Sequence, residues 1–496
     1  MRRFIKPNRK QLLMFHEIDL NSIASAGSTI HTIDTIVDDL DTSKYEEAYD
    51  LESAQGANPI HPKTIIKVCL YAIHNNRFST RKMEYDAGHH LGYMYLTGAR
   101  CIDHSTIGNF LLRFRQEVVE LFTQTVLVCT EQELVDFKVL GTDSVKMRAN
   151  ASHKRQKNKK GLEKAGRKIR ERVQELLEKV EGEEAAGEKA RELKQLEGTL
   201  ARVEEAKGIL GERLKELSKG KGIKEVEELE KKTTVNITDP DAHIMQQANG
   251  EKNPSYSVTT TGDSRNDIIT HFQINETDND AKALIPAMEG SEKNTGGHHE
   301  VNVADAGFSS IENLEGLEEK GIYALIPDKR LEVEKLKKTA KGSYDRSEFT
   351  FDEQADRYRC PERNILAWCG EVLSNGRPAK RYANPGACRQ CLNREQCTKG
   401  KHRVIIRDEQ EGLKERMREK FQQELNRETY KLRSHTVEAP YGCMKRNWKF
   451  TTIMRRGAAK AAMEMALVFS LHNILKLGAV LTLQRDLEKL LVDNKA

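Results

Sequence analysis

Three acidic residues stand where carboxylates could bind a metal ion. Asp143 follows the apolar run Val139-Leu140 in "VLGTDSVKMRAN", and Asp305 follows the apolar run "VNVA" in "HHEVNVADAGFSS". Each is predicted to lie at the C-terminal end of a β-strand, the edge of an α/β sheet where ligands collect. Two carboxylates at one such edge can share a hard divalent cation such as Mg²⁺, which prefers oxygen ligands. Glu438, in "RSHTVEAPYG", is the best candidate for the third acid of a two-metal site.

Basic side chains lie near these acids along the sequence, two after Asp143 and two around Glu438. They are Lys146, Arg148, Arg433 and Lys445. Lys and Arg neutralise phosphates and supply many of the contacts to a nucleic-acid backbone, so an anionic polymer is a plausible partner. Arg455 and Arg456 in "NWKFTTIMRRGAAK" could hold phosphates as well, although a solvated helix start explains them equally well.

Four cysteines between positions 360 and 397 have the spacing of a zinc site. Cys388 and Cys391 form a C-x-x-C motif, Cys397 follows it, and Cys360 precedes it, with Cys369 as a rival fourth ligand. Zinc would stabilise a loop-rich segment that has little core of its own. Free thiols packed in a small domain explain the same pattern equally well, so both interpretations stay open.

The bulk composition indicates a soluble globular protein. The chain has 496 residues, of which 32% are charged and 38% hydrophobic, and its mean hydropathy is -0.67. Such a length predicts roughly two to four structural units, and no run reaches the roughly 18 apolar residues of a membrane span. Nine cysteines without a recognisable secretion signal favour a reducing, cytoplasmic compartment. The net charge of +5 permits an anionic partner without requiring one.

The spacing of apolar residues predicts two helical regions outside the sheet. Residues 1–130 predict short helices with arginines near their ends, which suits a DNA-binding domain or a packing domain equally well. Residues 154–232 are rich in charge and predict an inserted coiled-coil hairpin with its turn in "EGEEAAGE", a disordered polyampholyte being the alternative. The seam of the hairpin is predicted to consist of Leu193, Leu196, Leu200, Val203, Leu210 and Leu214.

The remaining segments predict an α/β fold with a mixed-sheet core. Residues 131–153 and 233–328 alternate strands and helices and carry the two aspartates. Residues 329–428 form a small cysteine-containing insertion, and residues 429–496 form C-terminal core helices that include Glu438. The expected architecture is therefore a sheet core interrupted twice and preceded by a helical N-terminal domain.

The order of these motifs resembles the DDE transposases of bacterial insertion sequences. "GTDSVKMRANAS", "VADAGFSS" with "GIYALIPDK", and "YKLRSHTVEAPYGCMKRN" are similar to the surroundings of that family's two Asp and one Glu. The family's Tyr, Arg, Glu, Lys signature is matched by Tyr430, Arg433, Glu438 and Lys445, with a gap before Glu438 one residue longer than usual. "HPKTIIKVCLYA", "STRKMEYDAGHHLGYMYLTG" and "DHSTIGNFLLRFR" look like the helical domain of one branch of the family. The resemblance thus covers nearly the whole chain.

The resemblance implies an RNase H-like core whose catalytic, metal-binding residues are Asp143, Asp305 and Glu438. Its cofactor would be Mg²⁺ or Mn²⁺, with two ions activating the attacking oxygen and stabilising the leaving one. Its activity would be cleavage of DNA at transposon ends and strand transfer into target DNA. Double-stranded DNA would be the partner, and a homodimer would form on it. The expected DNA contacts are Lys146, Arg148, Tyr430, Arg433, Lys445, Arg455 and Arg456.

Two other functions fit the same sequence. A stand-alone nuclease would need the same three acids but would cut DNA without joining it. A domesticated or inactive DNA-binding protein would keep the helical segments and the cysteines, but the presence of all three acids speaks against it. A strand-transfer assay separates the first alternative from a transposase.

Overall fold

The fold is described from a computed structural model of the chain. It describes residues 10–13, 16–49, 58–178, 183–219, 222–247, 249–275, 282–328, 344, 346–374, 377–408 and 410–493. Part of the turn predicted within the charged insertion, at residues 179–182, lies outside the described residues.

The N-terminal region is helical after a short β-hairpin of β1 (Lys10–Leu13) and β2 (His16–Asp19). Pro62 in the first turn and the capping carboxylate of Asp103 start two of its helices. The helices are α1 (Thr29–Asp39), α2 (Ser43–Glu47), α3 (Pro62–His74), α4 (Thr80–His89), α5 (Leu91–Thr97), α6 (His104–Arg113) and α7 (Arg115–Glu131).

The centre of the molecule is a mixed sheet. Its strands are β3 (Val139–Ala149), β6 (His243–Gln246), β7 (Lys252–Asp263), β8 (Ile268–Ile274), β9 (Val301–Ala304) and β10 (Ala324–Leu325). Two short strands, β4 (Gln156–Lys157) and β5 (Val235–Asn236), pair with each other in a separate sheet. Strands β8, β7 and β3 are antiparallel neighbours, and β9 and β10 continue the sheet parallel to β3. The prediction of a mixed α/β fold is therefore confirmed.

Strand β3 is longer than the sequence predicts. It continues past Asp143 to Ala149, because β7 pairs with it from Leu140 opposite Asp263 to Arg148 opposite Ser255. The prediction that the strand ends at Asp143 is wrong, whereas Asp305 does follow the last residue of β9.

Both faces of this sheet are covered by helices. On one face, α11 (Leu284–Thr295) and α12 (Ile311–Glu319) pack through Leu284, Met288 and Leu314 against Leu140. On the other face, the N-terminal helices and the last helix of the chain share one core with β3, β7 and β8. The helical N-terminal region is thus joined to the sheet by a common hydrophobic core.

The charged insertion between β3 and β7 forms helices α8 (Lys159–Glu178), α9 (Glu183–Leu217) and α10 (Ile223–Lys232). Ion pairs of Arg172 with Glu192 and of Arg170 with Glu204 show that α8 and α9 run antiparallel. Of the predicted seam residues, Val203 and Leu210 are buried, and Leu193, Leu196, Leu200 and Leu214 are half-buried.

The cysteine-containing segment forms a separate antiparallel sheet with two short helices. Its elements are β11 (Thr350–Asp352), β12 (Arg357–Arg359), β13 (Ile365–Ser374), β14 (Arg377–Ala383), α13 (Pro385–Gln390), α14 (Arg394–Cys397) and β15 (Val404–Asp408). The strands lie in sequence order, each antiparallel to the next.

The chain ends in helices that return to the central sheet. After α15 (Glu411–Gln422) and α16 (Glu424–Lys431) comes the Glu438 segment, by which we mean residues 434–447. It consists of π-helical turns at Ser434–Glu438 and Cys443–Asn447 around a short α-helical turn. Strand β16 (Thr452–Ile453) then pairs with the end of β3, and α17 (Ala458–Asp493) follows.

The sequence predicts that no segment is long and apolar enough to span a membrane. Among the described residues, one helix does meet that criterion. The stretch Ala458–Arg485 of α17 is long and apolar enough to cross a membrane, by length and composition only. However, 61% of its most apolar part is buried inside the fold. Its Phe469 contacts the rings of Phe122 and Phe272, with centroids 6.4 and 5.3 Å away. This burial against α7 and β8 is that of a core helix.

Candidate functional site

The sheet brings Asp143 and Asp305 side by side. Thr142 of β3 is paired with Ala304 of the parallel strand β9, so the next residue of each chain segment is one of the two acids. Backbone amides orient both side chains. Asp143 Oδ1 accepts the N–H of Ser144 at 2.8 Å, and Asp305 Oδ1 accepts the N–H of Gly307 at 2.6 Å.

Two glycines let the Glu438 segment sit directly on the sheet beside these acids. Gly141 and Gly262 are opposite each other in β3 and β7, and Thr436 lies over both. A Cβ atom at Gly141 would be 2.8 Å from Cγ2 of Thr436, and one at Gly262 would be 2.8 Å from the Thr436 carbonyl oxygen. The close approach therefore depends on the absence of a side chain at both positions, and Glu438 follows two residues later.

A buried tyrosine fixes the same segment from its other end. The hydroxyl of Tyr441 donates to the backbone oxygen of Asp143 at 3.2 Å and lies 2.6 Å from Oγ1 of Thr260. The backbone of Asp143 is thereby linked directly to the Glu438 segment.

Arg433 connects two of the three acids. Its Nη2 lies 2.6 Å from Oε1 of Glu438, and its Nη1 lies 3.5 Å from Oδ2 of Asp143. The guanidinium is only 17% exposed, and it stands 5.8 Å from the ring of Tyr430, which packs at 4.9 Å against Phe421. Tyr430 therefore supports Arg433, and Arg433 neutralises charge between the carboxylates.

The surroundings of Asp143 change its protonation. Burial raises the pKa of Asp143 to about 6, the Arg433 guanidinium and the Ser144 amide oppose that shift, and the charges of Asp305 and Glu438 add to it. Burial also lowers the pKa of Lys445, while the nearby charge of Asp143 opposes this effect. Three carboxylates and two cations thus share one half-buried electrostatic environment.

The donor atoms fit a hard divalent cation, because all three acids offer carboxylate oxygens. The arrangement is nevertheless open. Among the described residues, the group whose three ligand atoms all lie within 4.8 Å of one another is Glu84, Asp103 and His104, not the triad. Between Asp143 and Glu438, the guanidinium of Arg433 supplies the positive charge that a metal ion would otherwise supply.

The other predicted DNA contacts are not brought to this site. Lys146 and Arg148 are exposed whereas the residues beside them are buried, so by strand alternation they project from the face opposite Asp143. Arg456 donates to the backbone oxygen of Asn150 at 3.1 Å, beyond the far end of β3. At about 3.3 Å per residue this is roughly 23 Å from Asp143. Contacts of these residues and of Arg455 with DNA therefore remain predictions for other surfaces.

The sequence did not reveal the residues that assemble the site. Gly141, Gly262, Thr436 and Tyr441 bear no catalytic group, and their roles follow from strand pairing across more than a hundred positions. A usable signal was present only for Gly141, a glycine inside an apolar strand, which often marks the close approach of another backbone.

The pKa of Asp143 predicts a pH-dependent difference in stability. Because its value of about 6 in the folded chain lies above its ordinary value of 3.8, the folded state holds this proton more tightly. The resulting stability is fully present below pH 3.8 and is lost as pH rises through about 6. At pH 8 we expect the free energy of unfolding of Asp143→Asn to exceed that of the wild type by up to about 3 kcal/mol. Denaturant titration would show this as a higher midpoint concentration. Near pH 4 the two should be equally stable, and a less stable variant at pH 8 would contradict the electrostatic description of the site.

Comparison with protein families gives two matches to parts of the chain. The model described as Transposase domain (DUF772) matches residues 18–113, and the model described as Transposase DDE domain matches residues 359–478. The second match contains Glu438, and Asp143 and Asp305 lie between the two. No curated protein and no solved structure matches the chain significantly. The matches of transposase models to both the N-terminal and the C-terminal region support the resemblance to DDE transposases of the insertion-sequence type.

Proposed function

We propose that this chain cuts DNA at transposon ends and joins the freed 3′ ends to target DNA, with Asp143, Asp305 and Glu438 as ligands of divalent metal ions. The observation that supports this best is the convergence of the three acids from distant parts of the chain around Arg433. Arg433 contacts Asp143 and Glu438 directly, and the charge of Asp305 also raises its pKa. An isolated surface acid would have no need of a shared cation, whereas Arg433, only 17% exposed, contacts both Asp143 and Glu438.

The sheet topology supports an RNase H-like core for this reaction. An antiparallel meander of β3, β7 and β8 is extended by two strands parallel to β3. Asp143 lies within β3, and Asp305 follows the adjacent strand β9. DDE transposase domains generally use divalent metal ions. Bound Mg²⁺ or Mn²⁺ ions would activate the attacking oxygen and stabilise the leaving one.

The chain's own residues would bind and orient the DNA strand. Lys445 contributes a half-buried positive charge near Asp143, which suits a phosphate held over the acids. Arg433 is positioned by Tyr430 to move from its carboxylate partners to a phosphate oxygen. The partner would be double-stranded DNA bound by a homodimer in the cytoplasm, with the domains divided as the sequence predicts.

Arg433 and Lys445 should contribute unequally to binding of transposon-end DNA. A charged hydrogen bond to phosphate is worth roughly 1.5–3 kcal/mol, about ten- to a hundredfold in affinity. We expect Arg433→Lys to be harmful, because a lysine cannot contact Glu438 and Asp143 with separate nitrogens, and Lys445→Arg to be milder. Each Ala variant should flatten the salt dependence of binding by about one phosphate contact.

The matched control for these variants is Arg446→Ala, because Arg446 adjoins Lys445 but is exposed. Binding is titrated at several salt concentrations. If both Ala variants keep the wild-type affinity and salt slope, neither residue contacts the DNA backbone.

The reaction itself is tested with DNA carrying the inverted repeats that flank the gene. The full chain with Mg²⁺ should nick the repeat end, and labelled ends should then appear covalently joined to a second, unlabelled duplex. Nicking without joined product would favour the stand-alone nuclease. Binding without nicking, in Mg²⁺ and in Mn²⁺, would favour an inactive DNA-binding protein.

A further inference from the structure

Four cysteines surround one small cavity in the antiparallel sheet domain. We call Cys360, Cys388, Cys391 and Cys397 the cysteine cluster. All four line a cavity of about 30 Å³, which is enough room for one small ion or water molecule. Cys369 is exposed and is not among the lining residues, so the structure separates it from the cluster.

The cluster is assembled from two chain segments with different local structure. Cys360 lies at the reversal between β12 and β13, where its Sγ accepts the backbone N–H of Asn364 at 3.3 Å and Arg363 has a φ of 62°. Cys388 lies in α13, Cys391 directly follows that helix, and Cys397 ends α14. A backbone amide that donates to a sulfur orients it, as the outer hydrogen bonds of metal ligands do.

Positive charge is placed beside the sulfurs. Arg403 and Arg394 line the same cavity, and Nη1 of Arg403 donates to the backbone oxygen of Cys397 at 3.1 Å. Burial raises the pKa of Cys397, the charge of Arg403 lowers it, and the other three cysteines raise it. Four thiolates around a divalent ion would leave two net negative charges, which two guanidinium groups could balance.

The domain around the cluster has little hydrophobic core. Its buried core residues within the described part of the chain are Phe349, Tyr358, Leu366, Tyr382 and Ile405, with Cys360 and Cys397 half-buried beside them. A domain with so small a core commonly needs disulfides or a structural metal to fold stably. The position of two cysteines at the edge of this core connects the cavity to the stability of the sheet.

We propose that the cysteine cluster binds one structural Zn²⁺ ion through four thiolates. On binding, each thiol releases its proton to solvent and forms one Zn–S bond, so four protons leave for each ion bound. No open coordination position remains for substrate, as in structural rather than catalytic zinc sites. The site is chemically distinct from the carboxylate triad, because Zn²⁺ accepts sulfur ligands whereas Mg²⁺ prefers oxygen.

Binding must draw the sulfurs together. Zn–S bonds of about 2.3 Å in a tetrahedron place sulfurs about 3.8 Å apart, and the cluster is not among the described groups with three ligand atoms within 4.8 Å of one another. The four sulfurs, including those of Cys388, Cys391 and Cys397 relative to one another, should therefore come closer together when zinc binds, and the ion should fill the cavity between them.

The first test is the zinc content of the full-length protein after dialysis against a weak chelator. We expect about one zinc per chain in the wild type and a loss of most of it in Cys388→Ser and Cys391→Ser. Cys369→Ser and Asp143→Asn are the matched controls and should both keep their zinc. Wild-type protein without zinc, or equal zinc loss in Cys369→Ser, would overturn the proposal.

A second measurement guards against serine variants that do not fold. Wild-type chain stripped of zinc is titrated with Co²⁺, and its absorption and proton release are followed. We expect the intense bands of tetrahedral cobalt with thiolate ligands at one equivalent, with release of up to four protons. Weak octahedral bands alone would overturn the proposal. Neither readout depends on DNA cleavage, so the zinc site and the proposed transposase activity can fail independently.

Discussion

Asp143→Asn, Asp305→Asn and Glu438→Gln should each lower the rate of DNA cleavage by more than a hundredfold and leave DNA binding intact or slightly tighter. Loss of residues that only orient metal ligands typically costs 10- to 100-fold, so loss of a ligand itself should exceed that range. DNA binding should persist because each change removes a negative charge near the phosphates while keeping the shape of the side chain.

The control for these variants is Glu300→Gln. Glu300 is an exposed acid that precedes β9, the strand whose other end leads to Asp305. It should cleave at the wild-type rate. A variant of Asp143, Asp305 or Glu438 that cleaves at the rate of Glu300→Gln would remove that residue from the proposed metal site.

Gly262→Ala should abolish cleavage although Gly262 has no chemical group. A methyl group there would stand 2.8 Å from the backbone oxygen of Thr436, and a backbone atom cannot rotate away. The Glu438 segment must therefore shift off the sheet, which should separate Glu438 from Asp143. Overpacking of this kind costs roughly 1–3 kcal/mol of stability, and a displacement of about 1 Å can cost a hundredfold in rate.

Gly141→Ala should also impair cleavage, but a second substitution at Thr436 should partly rescue it. Its methyl group would meet the side chain of Thr436, at 2.8 Å from Cγ2 and 2.9 Å from Cβ. The second change Thr436→Ser removes Cγ2, so Gly141→Ala with Thr436→Ser should recover part of the cleavage rate. Gly262→Ala with Thr436→Ser should recover none of it.

The control for the glycine variants is Gly108→Ala in α6. A Cβ atom at Gly108 would meet nothing within 4 Å, and alanine favours a helix. This variant should keep the wild-type stability or exceed it. If Gly262→Ala cleaves DNA as well as Gly108→Ala does, the Glu438 segment is not seated on the sheet as described.

Local patterns were sufficient for the elements that have strong sequence signals. Proline in the first turn and a capping aspartate are local signals for a helix start, and Pro62 and Asp103 begin α3 and α6. Strands β7 and β8 are likewise joined by a turn of a few residues. The approach of Asp305 to Asp143 is also predicted, because the sequence places each acid at the end of a strand of one sheet. The helix starts and the hairpin depend on residues close together in sequence, whereas the approach of the two acids depends on both strands joining one sheet.

Features set by distant pairing could not be predicted. The extension of β3 to Ala149 requires its long partner β7, which lies beyond the whole helical insertion. For the same reason the sequence did not reveal that Lys146 projects from the face opposite Asp143, or that Arg433 contacts two acids at once. Charged residues that are close in sequence can lie on opposite faces of a sheet, because successive side chains of a strand alternate between its two faces.

Iron-mediated cleavage of the protein chain shows directly whether the metal ions bind at Asp143, Asp305 and Glu438. Fe²⁺ placed in a Mg²⁺ site generates hydroxyl radicals with ascorbate and peroxide, and these cut the nearby backbone. The cut positions in the full chain bound to DNA are mapped with and without excess Mg²⁺.

We predict cuts near positions 143, 305 and 438 that Mg²⁺ suppresses and that Asp143→Asn weakens at all three places. The described residues offer one compact rival group, Glu84, Asp103 and His104. Cuts confined to that rival group, or cuts at the triad that Mg²⁺ does not suppress, would contradict the account.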